Sequence, residues 1–234
     1  MTVRTIIRKH ANIYLIGGGR HILFDCGRQD SFPAIKAALR EYGIGFEQIL
    51  RDRGVAMILP RIRDPRFITL RRGGMLTDGK HRLLALWAAE CAEHVLHIFE
   101  AVCPNDDRPR RAVEAARAWV RGEIKMTEAR DLAGAAQGAA REVTGESEAA
   151  RLAALSAGQA AVVAHVAAHE LGAAAYAIRA VTASVPKPAR AAARLAERDW
   201  QRSRLPEPIR GLVLDDQQLR NDICWFVFGE GNNL

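Results

Sequence analysis

The chain has 234 residues, 49% hydrophobic and 26% charged, enough for one large domain or two small ones and too balanced for wholesale disorder or a collagen-like fibre. Its formal net charge of +7 is unevenly placed, because residues 1–72 hold 14 Lys and Arg against 6 Asp and Glu, while residues 73–234 hold 20 against 21. The surplus is local, and few aromatics accompany Arg51, Arg53, Arg61, Arg63, Arg66, Arg71 and Arg72, so it reads as a solvated basic linker rather than a nucleic-acid surface.

Four scattered cysteines, Cys26, Cys91, Cys103 and Cys224, suit neither a disulfide framework nor a zinc knuckle. Arg8, Lys9 and His10 interrupt the start before a signal-peptide apolar region can form. The low-polarity stretch 149–180 is broken by Arg151, His165, His169, Glu170 and Arg179, short of the roughly 18 apolar residues that span a membrane. The expectation is a cytoplasmic protein with no membrane partner.

Residues 12–26 predict a β-hairpin, with strands Ile13–Ile16 and His21–Phe24 joined by Gly17, Gly18 and Gly19. A helix follows over Phe32–Tyr42, stopped by Gly43. This segment, residues 1–50, is too small to bury a core alone. The basic stretch 51–66 reads as a linker, its Arg, Pro and Gly content continuing to Gly74 with one candidate strand over Phe67–Leu70. From Thr77 onward the texture is helical, and the helical domain is expected over residues 67–234. A first helix is expected over Asp78–Val102, with Leu84, Trp87, Ala88, Cys91, Val95 and Ile98 on one stripe. A second starts with Asp106 and Asp107 as cap and Pro109 in its first turn, and ends at Gly122. A third runs over Thr127–Val143. A fourth, capped by Ser147, covers Ala149–Ala180 with 15 alanines and candidate breaks at Gly158 or Gly172. A fifth spans Ala189–Arg204, and the aromatic run Trp225–Phe228 is expected to pack back onto the core. The fold class is therefore mainly α, a bundle of five to six helices with a short N-terminal β-hairpin plus helix.

The stretches HRLLALWAAECAEHVLHIFE, DDRPRRAVEAARAWVRGEI and AAVVAHVAAHELGAAAYAIRAV resemble the immunity-protein-five-like family of bacterial immunity proteins, over roughly residues 67–230. The most specific piece is Asp107-Arg108-Pro109-Arg110 with Ala116-Arg117-Ala118-Trp119 beyond it, joined to a helix carrying Trp87, Cys91 and Glu93. The resemblance implies an all-helical, non-catalytic protein that neutralises a cognate toxin in competition between bacteria. Gln137 stands where the family pattern has a histidine. Residues 1–50 resemble instead the opening β-β-α of metallo-β-lactamase-type hydrolases, with Asp25 and Gly27 in the expected turn. The H-x-H-x-D-H metal loop that should follow is missing, since no histidine lies between His21 and His81. A gene fusion, a frameshifted remnant or a start-site error would each explain such a truncated front.

Three groups of residues are candidate sites. His165 and His169, at i and i+4, have the spacing with which two imidazoles on one helix face bind a metal, and His94 or Cys91 could add a ligand. Glu170 follows the pair instead of lying inside it, so the metalloprotease motif fails on order. Asp106, Asp107, Arg108, Arg110 and Arg111 form a charged cluster suited to a protein-binding surface or to capping and inter-helical bridges. Trp87 and Trp119 fall on inward-facing stripes. The favoured function is toxin binding with no cofactor. The alternative is a helical metal-binding protein or enzyme in which His94, His165 and His169 hold a divalent metal such as zinc.

Overall fold

The computed structural model describes residues 3–5, 14–16, 59–60, 62–143 and 147–230. The chain divides into two units, Met1–Ala56 and Met57–Leu234. In the first, β1 (Val3–Thr5) and β2 (Tyr14–Ile16) pair antiparallel, with Val3 opposite Ile16 and Thr5 opposite Tyr14. The partner expected for the second of these strands, His21–Phe24, lies outside the described residues, as do the glycine turn and the helix Phe32–Tyr42.

The second unit is helical, with eight α-helices among the described residues. Its entry segment is no strand. Pro65–Phe67 and Leu70–Arg72 form single 3-10 turns, and Thr69 bridges to Leu76. Asp64 accepts from the Arg66 backbone N–H, which starts the first turn, and Phe67 and Leu76 are buried as anchors. The part of the expected linker around these anchors is thus built into the helical unit.

Helix α1 (Asp78–His94) begins where the Thr77 hydroxyl accepts from the Lys80 N–H, with Asp78 complementing the positive end of the helix dipole. It stops at Val95, and α2 (Leu96–Glu100) follows as a separate short helix. The single helix expected over Asp78–Val102 is therefore bent, and the bend buries Val95, Leu96 and Phe99 together. Helix α3 (Arg108–Arg121) has Pro109 in its first turn and ends at Gly122, which takes the left-handed φ of 78° that glycine adopts without strain. Helix α4 (Met126–Glu142) follows.

The alanine-rich stretch forms two helices, α5 (Glu148–Val162) and α6 (Glu170–Ser184), separated by a turn and a 3-10 segment at Ala167–His169. Neither Gly158 nor Gly172 marks the break; both are buried inside helices. Helix α5 packs against α1, α2, α3, α4 and α6, and α6 packs against α1, α5 and α7 (Arg190–Ser203). A helix buried on several sides has little room for large side chains, which is why alanine dominates this pair. At Gly158 a Cβ would lie 3.1 Å from the Ala133 carbonyl oxygen of α4, so hydrogen at that position sets how near α4 and α5 approach.

Helix α8 (Glu207–Leu219), with Pro206 as its N-cap and Pro208 in its first turn, leads into a series of turns ending at Glu230. Trp225 and Phe226 there have φ of 56° and 58°, a conformation strained for side chains of this size. The strain is held by α7. Arg194, Arg198 and Arg202, one helical turn apart, donate to the carbonyls of Val227, Phe228 and Gly229. Cys224, Val227 and Phe228 are buried, whereas Phe226 stays half exposed. Among the described residues no helix is long and apolar enough to cross a membrane.

Two glycine substitutions test this packing. Gly158→Leu is expected to cost about 1–3 kcal/mol in urea unfolding through overpacking against α4. Gly134→Ala, where a Cβ meets nothing within 4 Å, is expected to stabilise by up to about 1 kcal/mol through helix propensity.

Candidate functional site

The break between α5 and α6 lies inside the core, so the carbonyls it frees from helical hydrogen bonding require other donors. Two distant side chains provide them. His81 of α1 donates from Nε2 to the Val163 carbonyl at 2.7 Å, and Arg220, just past α8, donates from Nη1 to the Ala168 carbonyl at 2.9 Å. Arg220 also binds Glu170 at 3.1 Å and Asp216, one turn earlier, through Nε at 2.8 Å and through Nη2. Glu170, Asp216 and Arg220 are all buried. One guanidinium thus serves two carboxylates, and Oε2 of Glu170 has no hydrogen-bond partner among the described residues. Burial pushes the Glu170 carboxyl well above the usual carboxylate range.

Histidines crowd the same region. His169 donates from Nδ1 to Oε1 of Gln159 at 2.7 Å, and burial, reinforced by Arg220, drives its pKa down to about 3. Burial is also the largest cause lowering His165, followed by the charges of Arg72, Arg130 and Arg63. His81 is lowered by burial too, against the opposing effect of its bond to Val163. All three are therefore neutral at pH 7. Arg63, Arg72, Phe67, His81, His165 and Arg220 are among the residues lining a cavity of about 50 Å3 at this point.

The three candidate metal ligands are not gathered. His165 and His169 do not share a helix face, because the helix ends at Val162 and restarts at Glu170. His94 lies at the far end of α1 from His81, about 20 Å along the axis at about 1.5 Å per residue. Its Nδ1 sits 2.8 Å from Oε2 of Glu197, and its ring stacks on Trp200 at 3.6 Å between centroids. Cys91 is fully buried in the core. Among the described residues no three His, Cys, Asp or Glu side chains are placed to hold a metal.

The charged cluster at the start of α3 is divided among separate bonds. Asp107 occupies the N-cap position without a side-chain capping bond. Asp106 does that work, its Oδ1 accepting from the Arg108 N–H at 3.1 Å. The Arg108 guanidinium binds Asp106 and, at the end of α4, Glu142. Arg110 pairs with Glu100 of α2 at 2.7 Å. Asp107 and Arg111 are exposed. Trp87 is buried, with its Nε1 donating to the Gln201 carbonyl, while Trp119 is half-buried beside His81.

The residues that organise the interior were legible only as spacing. Asp216 and Arg220, and likewise Arg194, Arg198 and Arg202, stand at i and i+4, a pattern that signals pairing along one helical face. His81 carried no signal, because its acceptor is 82 residues away.

An all-α domain whose buried charges tie its own chain together is the class defined by this fold and site. Residues 74–208, more than half of the chain, match the family model described as Imm-5 like putative immunity protein, and the chain belongs to that family. No curated protein and no solved structure gave a match. The matched region begins just before α1 and ends at the start of α8, so it contains His81, His165 and Glu170 but neither Phe67 nor Arg220. No match to a metallo-β-lactamase-type hydrolase supports the resemblance of residues 1–50.

Arg220→Met should leave Glu170 and Asp216 without their cation and cost about 3–5 kcal/mol in denaturant unfolding. For the histidines the pH dependence has a definite sign. Their folded pKa values lie below the ordinary 6.5, so their contribution is whole above that pH. It is lost as the pH falls toward about 3 for His169, because the unfolded chain takes up protons first. Paired carboxylates such as Asp64 and Glu93 add their losses only below their ordinary 3.8 and 4.5, and Glu170 acts in the opposite sense. His169→Asn keeps a donor to Gln159 and removes the titration. Between pH 7 and 5 this variant is expected to lose about 2 kcal/mol less stability than the wild type.

Proposed function

We propose that this chain is a bacterial immunity protein that binds and neutralises a cognate toxin without catalysing a reaction. The observation that carries the reading is membership of the immunity-protein family through residues 74–208. The chemistry of the interior is compatible with it. His81 and Arg220 serve the backbone at the helix break, Arg194, Arg198 and Arg202 serve the tail, and Arg108 and Arg110 join neighbouring helices. What is left for a partner is surface.

One groove on that surface has the composition of an anchor site. Between the start of α1 and the turn joining α3 to α4, Arg82, Trp119, Ile124, Lys125 and Met126 line a concavity of about 290 Å3, together with the ion pair of Arg71 and Asp78. Tryptophan and arginine in a partly desolvated pocket are the side chains that most often dominate protein–protein affinity. The positive rim favours an acidic face on the toxin and accelerates encounter with it. The protein then acts in the cytoplasm of the producing cell, and residues 1–50 are an appended segment derived from a hydrolase front.

Co-expression tests the proposal. The protein encoded next to this one is expected to arrest growth when expressed alone and to be neutralised when this chain is present. Arg82→Glu with Lys125→Glu, both exposed, is expected to weaken rescue while the protein stays folded by circular dichroism. A toxic neighbour that the full chain fails to neutralise overturns the immunity role toward it. Rescue undiminished in the double variant overturns only the choice of groove.

A further inference from the structure

The cavity at the α5–α6 break has no part in toxin binding as proposed above. Its lining combines apolar Leu59, Phe67, Ile68 and Val166 with the polar side chains of Arg63, Arg72 and His165. Nδ1 of His165 is buried and finds no hydrogen-bond partner among the described residues. Arg63 and Arg72 form no ion pair among them either. Asp64 and Asp216 also border the cavity, yet each is already bound, to Arg66 and Arg220 respectively.

We propose that this cavity is a binding site for a single carboxylate carried on a short apolar body. The carboxylate is held by Arg63, Arg72 and the Nδ1–H of His165, and the body lies against Phe67, Ile68 and Val166. Three considerations select this chemistry. A buried polar nitrogen without a partner loses its hydration for nothing unless a ligand or water meets it. Charge selects an anion. Asp64 is paired with Arg66 and Asp216 with Arg220, so Arg63 and Arg72 are the cations of the wall left to meet a ligand, and burial together with the neighbouring arginines keeps His81 and His165 from adding to them. The carboxylates of Asp64 and Asp216 in the same wall favour a singly charged carboxylate over a dianionic phosphate. Size selects a small head group, since about 50 Å3 is available. The segments that supply Phe67, Arg63 and Arg72 on one side and Asp216 and Arg220 on the other flank the family-matched region 74–208. The site is accordingly an addition to the helical body that the match covers, and it does not depend on the immunity reading.

The test uses the full chain and butyrate as probe, titrated at constant ionic strength against chloride. Melting temperature and the ring nitrogen resonances of His165 are followed together. Expected is a saturable rise of several degrees with a matching shift of the His165 signals, since a ligand bound only to the folded state stabilises it by mass action. Arg63→Gln with Arg72→Gln, both exposed, is expected to weaken binding by at least about tenfold through loss of charge-assisted hydrogen bonds, with unchanged circular dichroism. A capped tripeptide with a central glutamate is titrated in parallel. Tighter binding of the peptide assigns the natural carboxylate to a protein side chain, and tighter binding of butyrate assigns it to a free small acid. A response that follows ionic strength alone for both probes, or a saturable response equal in the double variant, overturns the proposal.

Discussion

The structure depends on one interruption. The alanine-rich stretch at the centre of the bundle cannot remain a single helix and also fold back on itself, so it breaks between Val162 and Glu170 and packs as the antiparallel pair α5 and α6. A break in the open would be solvated. In the core, an unpaired backbone carbonyl costs about 1–3 kcal/mol, and His81 and Arg220 are the donors that remove this cost at Val163 and Ala168. Because His81 belongs to α1 and Arg220 follows α8, the same two bonds fix both ends of the helical order to its centre.

The choice of arginine carries a consequence of its own. Bringing a guanidinium into the interior requires counter-charge, and Glu170 and Asp216 supply it from two different elements. Such a triad adds little net stability compared with apolar packing, but removing one member is costly because the remaining charges are left uncompensated. The second arginine set, on α7, works through geometry more than charge. Its forked donors reach successive carbonyls of the 227–229 turn and hold Trp225 and Phe226 in left-handed backbone, with Arg179 lying 4.1 Å over the Trp225 ring. Among the described residues, the buried Arg194, Arg198 and Arg220 are therefore internal scaffolding.

This division bears on function. Glu170, the buried carboxyl with the raised pKa, is part of the fold's own wiring, and so are His81 and His169, the histidines whose rings are bonded within the fold. His94 is occupied at the α1–α7 interface by Glu197 and Trp200. Chemistry at a reacting centre needs such groups free to meet a substrate, whereas recognition of a protein needs a stable surface with a few anchors. The exception is His165, which lines a cavity and whose buried Nδ1 has no hydrogen-bond partner among the described residues.

By itself the sequence determined the helical class, most helix starts and stops, and the family. These follow from local physics: Thr77 and Ser147 accept from backbone N–H groups within three residues, Gly122 supplies a left-handed stop, and Pro109 fits a first turn. Apolar periodicity also placed Leu84, Trp87, Cys91 and Val95 inside. Periodicity failed along Ala149–Ala180, because a run of alanines is apolar on every face and carries no register to show where a helix must turn back. Tertiary structure alone decided that the turn falls at 163–169, that Asp106 rather than Asp107 caps α3, and that His94 stands apart from His165. The turn rests on partners far apart in sequence, 82 residues for His81 and Val163 and 50 for Arg220 and Glu170, and no local spacing encodes a hydrogen bond that exists only once the chain has folded around it; the cap is a local bond from Asp106 to the Arg108 N–H, chosen between two adjacent aspartates that spacing alone does not tell apart.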